Sequence, residues 1–169
     1  AVAWIAALER GDGPSCLLLS RQNLPALSHP AQQIADIRRG GYVLSEAAGG
    51  EARLVLLATG SEVSLTLEAQ TVLQQRGVST RVVAMPCTQR FDRQSAAYRQ
   101  AVLPPATPIL AVEAAHPDLW WKYVGNAGAV IGIDRFGESA PAAALYEFFG
   151  ITVDAIAARA LALPGVRDG

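Results

Sequence analysis

Four short apolar runs, RLVLLATG (53–60), TRVVAMP (80–86), PILAVEAA (108–115) and AVIGID (129–134), constrain this chain more than any other feature. Their cores are apolar almost throughout rather than alternating with polar residues. Each therefore has to be covered on both faces, as the strands of a parallel sheet are. Residues 62–76 place Leu65, Ala69, Val72 and Leu73 at helical spacing, with Gly77 where a glycine C′ belongs. Val63, Leu65 and Leu67 also alternate, but the length of the segment favours a helix. DRQSAAYRQAVLP (92–104) reads as helix up to its proline, LWWKYV as a short helix, and Ala140–Phe149 and Val153–Leu163 as the last two. GYVLSEA (41–47) adds a candidate strand, followed by a turn at Gly49-Gly50. Strands alternating with helices imply an α/β fold. The expected architecture is a three-layer α/β/α sandwich with a mostly parallel sheet of about five strands, over residues 41–164, with 165–169 as a tail.

Residues 1–22 read as a separate unit. Val2, Ile5 and Leu8, with Trp4, keep helical spacing, and Gly11 is expected to close that helix as its C′. The helix has no capping residue at its start, so Ala1 is expected to lie inside a helix that begins upstream, in a longer protein. Cys16–Leu19 has the length of a buried strand. Residues 23–40 carry two prolines and no clean period, which reads as a linker with one helical turn over Ala31–Ile37, closed by Gly40-Gly41.

The formal net charge is −1 and 51% of residues are hydrophobic, which gives no reason to expect nucleic acid or an anionic membrane as partner. No apolar run reaches the roughly 18 residues that span a bilayer. AVAWIAALERG lacks the basic region and cleavage site of a signal peptide, so cytoplasm is the expected compartment. Cys16 and Cys87 lack CxxC spacing and read as buried structural thiols in a reducing setting.

Several features are candidates for chemistry. Gly11-Asp12-Gly13 is the kind of triplet that holds a metal and a diphosphate, but it follows a helix rather than a strand, and one Asp is a poor magnesium cage. It reads as a turn in which glycine takes a positive φ and Asp12 bonds nearby backbone. Arg21 stands just past an apolar run, at the kind of strand end where open α/β sheets place ligands. Its forked guanidinium suits a phosphate. In TGSEV, Thr59 and Ser61 are candidate caps, with Thr59 and Glu62 spaced as a capping box. In FGESAP, Ser139 is a candidate cap, with Pro141 in the first turn. His29 and His116 fall into no catalytic spacing and read as loop residues. Trp120, Trp121 and Tyr123 read as core packing or a subunit contact.

The segments LSRQNLP (19–25), RGGYVL (39–44), ATGSEV (58–63), VVAMPCTQRFDRQSAAYRQAVLP (82–104), KYVG (122–125) and FGESAP (136–141), in this order and spacing, resemble the C-terminal part of bacterial transketolases. The resemblance covers nearly the whole chain and fades only after Leu163. It implies that residues 1–22 end a pyrimidine-binding domain, 23–40 link, and 41–164 form the C-terminal domain. It also implies a full-length homodimer that uses thiamine diphosphate and a divalent metal (Mg or Ca). Such an enzyme moves a two-carbon ketol unit between sugar phosphates in the pentose phosphate pathway. Only Arg21 lands on a substrate position of the family, as the residue that holds the sugar phosphate. Catalytic, cofactor and metal residues belong upstream, so no cofactor is expected on these residues and no role passes to His29 or His116. A stand-alone α/β ligand-binding or assembly module acting through TGSEV and FGESAP is the competing class. The C-terminal domain of another thiamine-diphosphate enzyme is a third possibility, over which SRQNLP joined to FGESAP favours transketolase.

Overall fold

The structure, a computed structural model, describes residues 1–166, so residues 167–169 of the expected tail lie outside it. In chain order its elements are α1 (Val2–Leu8), α2 (Ala31–Ile37), β1 (Tyr42–Ser45), β2 (Leu54–Ala58), α3 (Glu62–Gln75), β3 (Thr80–Ala84), α4 (Thr88–Asp92) and α5 (Ala96–Val102). There follow β4 (Ile109–Val112), a 3₁₀ turn (Pro117–Trp120), α6 (Trp121–Val124), β5 (Ala129–Ile131), α7 (Ala142–Phe149) and α8 (Val153–Leu161).

The sheet order is β1-β3-β2-β4-β5. β2 pairs in parallel with β3 and β4, and β5 in parallel with β4, while edge strand β1 runs antiparallel to β3 with a bulge between Val43 and Ser45. The alternate side chains of the apolar strands feed two cores. On one face Leu54, Leu56, Val82, Leu110 and Val112 meet Ala69 and Leu73 of α3 and Ile156, Ala157 and Ala160 of α8. On the other, Val55, Leu57, Val83 and Ala111 meet Phe91 of α4, Val102 of α5, Trp120 and Val124. The sandwich therefore has three layers, as its sequence pattern requires, and Gly77 takes the expected left-handed conformation after α3 (φ +76°).

The structure departs from the sequence reading at several places. Residues 92–104 are not one helix: α4 ends at Asp92, and Ser95 starts α5 in an extended conformation, accepting a hydrogen bond from the Tyr98 backbone N–H. Cys16–Leu19 is not a strand. No described strand lies beside it to accept its hydrogen bonds, and Leu18 and Leu19 are exposed. Cys16 is accordingly exposed rather than buried, and Cys87 half-buried. α1 closes at Glu9 with helical angles, and neither Gly11 nor Gly13 takes a positive φ. Glycine is required instead at Gly40 (φ +90°), where a Cβ would lie 2.3 Å from the Cys87 carbonyl oxygen. That close approach sets Gly40 against the start of α4.

Burial sets the cost of truncation. Leu56→Ala should lower the stability of the chain to urea by about 2–5 kcal/mol, through lost burial and a cavity. Leu18→Ala should change it by less than about 0.5 kcal/mol, as befits an exposed side chain.

Candidate functional site

Parallel strands aim their carboxyl ends at one edge, where ligands of open α/β sheets bind. Here that edge carries two glutamates, each just beyond a central strand: Glu62 after the β2 turn and Glu113 immediately after β4. Gly60 makes the turn in the left-handed region (φ +56°), and a Cβ there would sit 3.7 Å from Ser20 Oγ. The 20–22 segment thus lies against the β2–α3 turn.

Glu62 is 2% exposed, and its Oε1 accepts two hydrogen bonds, one from Ser61 Oγ at 2.7 Å and one from the Tyr146 hydroxyl at 2.5 Å. Tyr146 in turn accepts from the Gln22 side-chain amide at 3.2 Å. Burial, and then its bond to Glu62, push the Tyr146 hydroxyl up to about 12, so it remains a proton donor at any physiological pH. Glu113 is pushed up to about 7, first by burial and then by the charge of Glu62. The buried indole N–H of Trp120 pulls the other way, from a position short of hydrogen-bond geometry. At neutral pH Glu113 therefore still holds much of its proton.

The expected caps take other roles. α3 has no side-chain cap. Ser61 is already helical, its hydroxyl goes to Glu62, and the Glu62 N–H bonds the Thr59 carbonyl (3.3 Å) rather than a side chain. The capping box of Thr59 and Glu62 does not form because Tyr146 and Ser61 claim the carboxylate. α7 starts from Pro141, and Ser139 is exposed three residues before Ala142. His29 shares a hydrogen bond with Gln33 (3.3 Å) and meets Tyr42 edge-on, whereas His116 accepts from the Asp118 backbone N–H. Trp120 is core, Trp121 is exposed, and Tyr123 donates to Asp92 Oδ1 at 2.9 Å.

Arg21 is exposed at a bend beside Gln22 and makes no hydrogen bond or ion pair to another described residue. Its guanidinium is free to take a ligand. Asp12 differs. Arg10 donates to it at 3.1 Å and also to the Pro14 carbonyl, and that bond holds the Asp12 carboxyl below the usual range. Asp12 lies on an exposed bend, and no group of three or more His, Cys, Asp or Glu among the described residues could hold a metal. A thiamine diphosphate–metal site does not fit these residues. A cleft of about 660 Å³ between α1 and α4 is lined by Cys16, Cys87, Arg38 and Arg90 among others, but not by Arg21.

Glutamates, Tyr146 and Gln22 escaped the sequence reading of the site. A signal was present: ATGSE and AVEAA place carboxylates just past the ends of two adjacent apolar strands.

The sheet order and its polar carboxyl edge define the class: a doubly covered α/β domain with a ligand-type edge. Residues 40–152 match the family described as Transketolase-like TK C-terminal domain, and the chain belongs to that family. Among its relatives, Transketolase 1 of Escherichia coli (strain K12) is 53% identical over 161 residues, covering 95% of this chain and 24% of that protein. Transketolase 2 of Vibrio vulnificus (strain CMCP6) is 53% identical over 155 residues, covering 91% of the chain and 23% of the relative. The solved transketolase of Leishmania mexicana superposes with a TM-score of 0.87 at 41% identity, over 96% of this chain and 23% of that one. The Pichia stipitis transketolase in complex with sedoheptulose-7-phosphate gives 0.84 at 38% identity, over 94% and 22%. The chain therefore spans about a quarter of the length of the relatives it matches.

The raised Glu113 sets a pH dependence. Below about 4.5 the folded and unfolded chains both hold this proton, and Glu113 costs nothing. As pH rises to about 7 the unfolded chain releases it first, so the penalty on folding grows across that window and is complete above it. Glu113→Gln should therefore stabilise the chain by about 1–2 kcal/mol at pH 8, after allowance for solvent screening, and by nothing at pH 4, as read from urea unfolding at the two pH values.

Proposed function

We propose that this chain works as the carboxyl-terminal part of a transketolase, a homodimeric cytoplasmic enzyme that moves a two-carbon ketol unit from a ketose phosphate to an aldose phosphate. The observation that carries this reading is the reach of the likeness. At 53% identity it extends over 95% of the chain, well beyond the 40–152 core of the family match. Under this reading residues 1–22 complete a pyrimidine-binding domain, 23–40 link, and 41–164 are the C-terminal domain. The exposed Leu18 and Leu19 would then be covered by the rest of that first domain.

Thiamine diphosphate with its divalent metal, bound elsewhere in the whole enzyme, supplies the group-transfer chemistry. The contribution of these residues is to bind and orient. Arg21 holds the sugar phosphate through two parallel charge-assisted hydrogen bonds, which fixes the far end of the substrate while its reacting end is positioned elsewhere. The free guanidinium of Arg21, beside an anchored neighbour, supports that role. The sugar phosphate named with the Pichia stipitis structure is of the corresponding substrate class.

Two measurements test the proposal. In the full-length enzyme, Arg21→Ala should raise KM for phosphorylated sugars about 10- to 100-fold, the worth of a charge-assisted contact, and leave unphosphorylated sugars nearly unchanged; an equal rise for both refutes the phosphate role. Calorimetric titration of the 169-residue chain with thiamine diphosphate and Mg²⁺ should give no binding heat, and micromolar affinity would overturn the assignment of the cofactor site to other residues.

A further inference from the structure

Arg21 has no partner of its own among the described residues, yet a phosphate ligand needs its guanidinium in one place. Its neighbour supplies the anchor. Gln22 donates to Tyr146 Oη at 3.2 Å, Tyr146 donates to Glu62 Oε1 at 2.5 Å, and Ser61 donates to the same oxygen at 2.7 Å. These residues come from three parts of the chain: the 20–22 bend, α7, and the start of α3.

The direction of this relay is fixed by its chemistry. Glu62 Oε1 accepts from both hydroxyls, so the single Tyr146 proton points to it. The hydroxyl oxygen then has only lone pairs left to offer, which selects the NH₂ end of Gln22 rather than its carbonyl. The relay is partly buried at Gln22 and fully buried at Glu62, where competing water is excluded.

We infer that Gln22, Tyr146 and Glu62 are positioning residues for phosphate recognition, a strut that ties the bend carrying Arg21 to the carboxyl edge of the C-terminal sheet. The inference rests on the reading of Arg21 as the phosphate-holding residue. None of the three touches substrate. Each acts by fixing the backbone from which Arg21 projects.

The experiment uses the full-length enzyme, with steady-state kinetics on matched phosphorylated and unphosphorylated acceptors. Gln22→Ala and Tyr146→Phe should each raise KM for the phosphorylated acceptor about 3- to 10-fold, with kcat within twofold and the unphosphorylated acceptor unchanged. Combined, they should do no more than either alone, because both cut one strut. In an Arg21→Ala background, Gln22→Ala should have no further effect. An undiminished effect there means that Gln22 reaches substrate itself and overturns the inference. So does an equal loss on both acceptors, or no effect from either substitution while Arg21→Ala remains selective; in that last case the phosphate role of Arg21 stands alone. If Arg21→Ala itself fails to discriminate between the acceptors, both readings fall.

Discussion

β2 has a hydrogen-bonded strand on each side and a packed layer on each face, so all of its side chains and peptide groups must be satisfied without water. That constraint leaves only apolar residues from Leu54 to Ala58, each fully buried. It also fixes where polarity can return, which is only beyond the strand's end. Thr59, Gly60, Ser61 and Glu62 follow at once, and the same logic puts Glu113 directly after β4. The chemistry of the carboxyl edge is thus a product of the severity of the core beneath it.

Two carboxyls on that edge could not both be charged cheaply in a half-buried setting. The structure resolves the conflict by unequal support. Glu62 receives two hydroxyl donors, while Glu113 has the weaker pull of the Trp120 indole N–H and the Ala114 backbone. Glu113, the less supported of the two, is the one whose proton is held up to about pH 7. Tyr146 belongs to this settlement, and through it a residue near the amino terminus is tied to a helix near the carboxyl terminus.

Much of this fold was legible because it follows from local rules. The apolar runs, the helix after β2 and the turn at Gly49-Gly50 all appear where periodicity and glycine place them. The α4–α5 break was readable too, since Ser95 is a good cap two residues ahead of an alanine-tyrosine pair, but the continuous polar-apolar pattern of 92–104 masked it. Cys16–Leu19 failed for another reason. Apolar length announces a strand, but a strand exists only beside a neighbour, and no described strand offers one. Glu62 was misread as half of a capping box because spacing cannot reveal a tyrosine 84 positions away that competes for the same oxygen. Arg21 was visible as a candidate, whereas the residues that steady its neighbour were not.

The reversed edge strand has a consequence for how the preceding segment approaches the sheet. Because β1 runs against β3, its first residue Tyr42 lies beside Ala84, the last residue of β3. The chain therefore enters β1 from the carboxyl edge of the sheet. Had β1 been parallel, the chain would have entered it roughly 15 Å away at the opposite edge, the length of a five-residue strand. A single change of strand direction thus gathers the entry to β1, Glu62 and Glu113, and the bend at Arg21 onto one rim. Residues that precede Tyr42 can therefore touch that rim without crossing the sheet, as the bond from Gln22 to Tyr146 does.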